Sequence, residues 1–218
     1  MFRAILYTQW KWSRLVLLVG VVASFALPLL SVQQAGWPGT SRFDAMQILG
    51  GVQSWSVWYP SLAAGLGLML ATTAWGADHR TGHVYALSLP VPRWHFAVLR
   101  FGAGVTLLAA PLAAFWIGSM LAAAAVQLPP GLHAYPHALA VRFALAVFMA
   151  YALFSAISAG TARAAGYVLG VIGALVWIQV MLNVAGSDLS LVEAVFDRLA
   201  IWPGPLEVFT GRWTLIDV

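Results

Sequence analysis

Side chains able to do chemistry are scarce in this sequence, and one stretch holds a disproportionate share of them. ADHRTGHVYALSLPVPRWHFAVLR, residues 77–100, carries one acid, three arginines and three histidines in a chain with only 8% charged residues. His79 and His83 stand four apart beside Asp78, and His133 and His137 repeat that spacing. On a helix that interval puts two imidazoles on one face, where they could grip a metal ion. Neither pair has a convincing third ligand, so solvated interfacial histidines are the better reading and no metal is expected. His95 falls at the start of an apolar run rather than in its middle, which argues against haem ligation inside a bundle. The hydroxyls Ser24, Thr72, Thr73, Thr106, Ser119, Ser155 and Ser158 lie in apolar segments without an Asp, Glu or His to activate them. Back-bonding to helix carbonyls is their expected use. No G-x-x-x-x-G-K-[ST] phosphate loop occurs and the only lysine is Lys11, so ATP hydrolysis by this chain itself is not expected. The absence of cysteine excludes disulfides, thiol catalysis and cysteine-based zinc sites.

The elements that must position these residues are set by composition. Of 218 residues 61% are hydrophobic, and the mean hydropathy is +0.85. So little polar surface cannot coat a water-soluble globule, where roughly 25% charge is usual. The eleven Trp, eleven Phe and six Tyr suit headgroup belts, in which an aromatic ring keeps one edge wet. Crossing ~30 Å of hydrocarbon takes about 20 apolar residues in a helix, because each backbone amide must be satisfied within its own segment. Residues 14–32, 56–76, 97–126, 139–158 and 165–185 meet that requirement. The expected fold is an all-α integral membrane bundle of five spans in a single transmembrane domain, residues 1–218.

The N-terminus is basic and then apolar like a signal peptide, but Trp10 and Trp12 interrupt it, so an uncleaved first span is expected. Before that span, Phe2, Ile5, Leu6, Gln9, Trp10 and Ser13 share a helical face. Residues 1–13 therefore read as an interfacial helix, with a plain extension of the first span as the other reading. With the N-terminus inside, Arg3, Lys11, Arg14, Arg80, Arg93, Arg100 and Arg163 face the cytoplasm, against Arg42, Arg142, Arg198 and Arg212 outside. The positive-inside rule favours that orientation in the plasma (inner) membrane and makes the loop after span two cytoplasmic. The formal net charge of +4 lacks the basic runs of a nucleic-acid surface. Residues 187–218 form an external amphipathic tail along the outer surface, opened by a Ser187 or Asp188 cap and stopped by Pro203 and Pro205.

The loop itself consists of a charged corner, a short amphipathic helix, a proline pair and a basic return to the bilayer. Gly82 permits a bend, Val84, Leu87 and Leu89 are too few to span anything, and Pro90 and Pro92 forbid helix continuation. Arg93 and Arg100 lie seven apart on similar helical faces and can reach toward headgroups. The order Asp78, Gly82, Leu87, Leu89, Pro90, Arg93, Arg100 resembles the first cytoplasmic loop of permeases of ABC-2 type ATP-binding cassette transporters. That resemblance implies a coupling helix over Thr81 to Leu89, including Val84 and Tyr85, which docks on a separate ATP-binding subunit holding ATP and magnesium. It places Asp78 and Arg93 in a flanking polar network and pairs the chain with a second permease copy or paralogue. Gly166 and Gly170, with Gly173, are then candidates for the dimer seam or for packing within the chain. In two respects the sequence departs from the pattern: such permeases have six spans where five are found here, and Lys is common where Arg100 stands. The rival expectation is a non-transporting scaffold or accessory subunit of a membrane complex.

Overall fold

In the computed structural model, residues 1–34, 42–80, 92–126, 128, 130–159, 162–184, 190–201, 204 and 206–218 are described. The chain is built from helices: α1 (Phe2–Gln34), α2 (Arg42–Ser54), α3 (Trp58–Arg80), α4 (Arg93–Ala125), α5 (Pro136–Ala159), α6 (Ala162–Val184), α7 (Leu191–Ala200) and the single turn α8 (Glu207–Thr210). Two short strands, β1 (His133–Ala134) and β2 (Ile216–Asp217), complete the described elements.

Among the described residues, four helices are long and apolar enough to cross a membrane: Phe2–Gln33, Ile48–Gly76, Trp94–Ala125 and Pro136–Ala159. The fifth expected span coincides with α6, in which Gly173–Leu182 forms a shorter apolar helix. The distribution of side chains is that of a membrane protein. Leu15, Leu18, Val19 and Val22 on α1 are exposed, whereas Gln9, Ser13, Ser24, Ser31, Ser119 and Ser155 are buried. Water would penalise that inversion, and lipid would not.

One compact unit comprises Met1–Ser155 with Arg212–Val218. Its centre is the α1–α4 pair, with α3 against both. Close approach needs small residues, because packing rather than apolar burial drives helix association in lipid. At Gly118 a Cβ would stand 2.5 Å from the carbonyl oxygen of Phe25 on α1, and at Gly104 it would coincide with the Tyr151 hydroxyl on α5. Residues 2–13 and the first span form one uninterrupted helix by backbone bonding. Its first turns nevertheless lean across α4: the Phe2 ring lies near Gly102 while Gln9, two turns later, bonds to the backbone of Arg100.

At the end of this unit where α3 begins, residues 212–218 are built into the bundle. β2 pairs antiparallel with β1, His133 opposite Asp217 and Ala134 opposite Ile216, and the Tyr135 amide donates to Leu215 at 2.9 Å. Gly131, at φ 96, makes the turn into β1 in a conformation other residues resist. Trp213, Leu215 and Ile216 are buried, so the last residues of the expected surface tail are interior instead. The cause is the aromatic interior they fill, which no local pattern announces.

The second unit is Ala156–Gly211. Within it the Gln179 side-chain oxygen on α6 accepts from the amides of Leu191 (2.7 Å) and Val192 (3.2 Å), satisfying donors at the start of α7. Ser190 is the N-cap of α7, its hydroxyl accepting from the Glu193 amide at 3.2 Å. It takes the role expected of Ser187 or Asp188, which lie outside the described residues. A Cβ placed on Gly170 or Gly173 meets nothing within 4 Å.

Candidate functional site

Of the arginines in the charged stretch, Arg100 is the one whose side chain is described. Helix α4 opens after Pro92, whose φ of -55 and ψ of 134 supply an extended entry without a side-chain cap. Two turns in, Arg100 is only 6% exposed. Its guanidinium donates through Nη2 to the Ala74 carbonyl on α3. The same group lies 4.6 Å from the centre of the Trp75 ring and 5.4 Å from that of Phe96, one turn earlier on its own helix. A guanidinium is flat and weakly hydrated, so it can stack on ring faces where an ammonium would demand water. The arginine expected to reach toward headgroups is therefore turned inward. Among its described contacts, Trp75 and Phe96 together offer the cation a substitute for solvent.

Helix α1 joins the cluster through Gln9, which is 3% exposed. Its amide nitrogen donates to the carbonyl oxygen of Arg100 at 3.1 Å, and Ser13 donates to the Gln9 carbonyl at 2.7 Å. The Gln9 amide oxygen has no partner among the described residues. Arg100 thus ties α4 to α3 by its side chain and to α1 by its backbone. A hydrogen bond to a charged group contributes about 1.5–3 kcal/mol, and each ring contact up to ~2 kcal/mol where water is excluded. Tyr151 on α5 flanks the site, stacked on Phe101 with centroids 5.2 Å apart. Through its described contacts the Arg100 cation braces three helices.

Of the other residues singled out by sequence, Thr81, Gly82, Val84, Tyr85, Leu87, Leu89 and Pro90 lie outside the described residues, as does His83. Asp78 and His79 are in the last turn of α3 and Arg93 is the first residue of α4, their side chains not described. Asp78 stands one turn beyond Ala74. Gly166 lies in the first turns of α6. His133 is in β1, while His137 accepts from Trp116 Nε1 at its Nδ1 (3.1 Å). Among the described residues no group of three potential metal ligands occurs.

The chain matches no protein-family model, no curated protein and no solved structure.

A second cluster, unforeseen from sequence, closes the opposite end of the same unit. Tyr59 donates to Ser31 Oγ at 2.8 Å, meets Phe115 edge-on at 5.8 Å and stacks on Trp213 at 6.4 Å. Phe115 stacks in turn on Phe143. The Arg142 guanidinium sits 5.6 Å from the Trp213 ring centre and donates to the Arg212 carbonyl at 2.9 Å. Gln9 and Ser13 had a sequence signal, being polar positions one turn apart on an apolar face. The partners of Arg142 and Tyr59 had none, because Trp213 comes from the far end of the chain.

Proposed function

We propose that this chain is the permease subunit of an ABC-2 type ATP-binding cassette transporter, working as an exporter in the plasma membrane with its N-terminus in the cytoplasm. The observation that carries the reading is the order Asp78, Gly82, Leu87, Leu89, Pro90, Arg93, Arg100 across the connection between two long apolar helices. The Arg100 brace supports it, because the roots of that connection are tied to each other and to α1. A push delivered to residues 81–91 would load three helices together, as coupling of a membrane path to an external motor requires. The motor is a separate subunit that binds ATP and magnesium and closes on hydrolysable nucleotide. A second permease copy or paralogue completes the path, and the open faces at Gly170 and Gly173 suit close contact with another helix.

The test is purification of the tagged chain from its native membrane in a mild detergent. An ATP-binding cassette subunit should accompany it, with ATPase activity. Leu87→Asp, which puts a charge among the apolar residues of the proposed coupling segment, and Gly82→Pro, which removes the freedom of its glycine, should each release that subunit while the helical content of the permease is unchanged. If no such subunit co-purifies, or if both variants retain it with undiminished ATPase stimulation, the proposal fails.

A further inference from the structure

The first fourteen residues present two faces of different character. Ile5, Leu6, Gln9 and Ser13 turn inward, Gln9 and Ser13 into the Arg100 cluster. The other face carries Arg3, Tyr7, Lys11 and Arg14, all exposed, at intervals of four, four and three residues, so they fall within one stripe of the helix. Trp10 borders that stripe and is 49% exposed, and Tyr7 within it is 69% exposed.

Continued along α1, the same stripe becomes Leu18 and Val22, exposed and wholly apolar. One side of one helix thus reads apolar, then aromatic and basic, the order in which a bilayer passes from acyl chains to headgroups. Arg3, Lys11 and Arg14 make no ion pair among the described residues. No acidic residue precedes Asp44 in the chain, so α1 brings no carboxylate of its own to this face.

From this arrangement we infer that the Arg3, Tyr7, Lys11, Arg14 stripe, with Trp10, is a docking strip for anionic phospholipid headgroups. Three cations within four helical turns complement a row of lipid phosphates, and the indole and phenol rings hold the strip at headgroup depth. Zwitterionic lipid offers no net charge to this strip, so the preference is for phosphatidylglycerol-like lipids. Because the inner face of the same segment bonds to the backbone of Arg100, lipid occupancy would steady the brace described above. The inference needs only the membrane setting and does not depend on transport.

The test titrates phosphatidylglycerol and phosphatidylcholine into the purified full chain in neutral detergent, with bound lipid counted by native mass spectrometry. Phosphatidylglycerol should bind more tightly, and added salt should erase the difference. The double variant Lys11→Gln/Arg14→Gln should weaken phosphatidylglycerol binding about fivefold per charge removed. The charge-preserving pair Lys11→Arg/Arg14→Lys should not, and neither should Arg198→Gln on the exposed face of α7. Equal affinity for the two lipids, no effect of the double Gln variant, or an equal effect of Arg198→Gln would overturn the inference. So would binding of glycerol 3-phosphate as tight as that of the lipid, which would mark a soluble-anion site.

Discussion

Replacing Arg100 by Lys and by Met separates a stacked guanidinium from a mere positive charge. Among its described contacts, two ring contacts at 4.6 and 5.4 Å, at about 1–2 kcal/mol each, and a charged hydrogen bond at about 2 kcal/mol total roughly 4–6 kcal/mol. Burying the ion costs several kcal/mol, so most of that gain is spent on desolvation. Arg100→Met gives up both sides of the balance and fills similar space, and a net loss of about 1 kcal/mol is expected. Arg100→Lys keeps the buried charge but has no flat face for Trp75 and Phe96, and its ammonium is more strongly hydrated; a loss of ~3 kcal/mol is expected. The order is thus wild type, then Met, then Lys. Unfolding of the purified protein in mixed micelles of rising SDS content, followed by circular dichroism, measures it. A headgroup anchor gives the reverse order, because there Lys substitutes well and Met does not. Finding Lys near wild type and Met clearly worse would refute the stacking account.

Two further outcomes follow from the packing. Gly104→Leu should prevent α5 from docking on α4, since even a Cβ would collide with the Tyr151 hydroxyl; loss of more than 3 kcal/mol or failure to fold is expected in the same unfolding assay, while Gly170→Leu should be tolerated in isolated monomers. Because the natural sequence has no cysteine, Ala134→Cys with Ile216→Cys introduces a single possible disulfide between directly paired positions; mild oxidation should form it nearly completely, and Trp213→Ala should slow its formation.

Much of the helical architecture is written locally. Apolar runs of span length marked Phe2–Gln33, Trp94–Ala125 and Pro136–Ala159, because a bilayer demands length and hydropathy whatever the tertiary fold. Helix α2 escaped notice because its sequence, with two adjacent glycines, carries no strong period; its Ile48 and Val52 are buried all the same. The β1/β2 pair is too short to alternate, so nothing in HA or ID announces a strand. Arg100 misled for another reason. An arginine seven residues after Arg93 at the start of a span looks like a headgroup ligand, and only the meeting of α3 with α4 brings Trp75 over it. Residues distant in sequence decided both clusters, and tertiary proximity leaves no local trace.

The antiparallel pairing of β1 with β2 also sets a schedule for biogenesis. Residues 133–134 must wait for 216–217, so the interior around Tyr59 and Trp213 cannot close until the chain has been made as far as residue 217. Insertion of the early helices would then produce a half-open intermediate whose Tyr59 and Phe115 faces are bare until synthesis has passed Ile216.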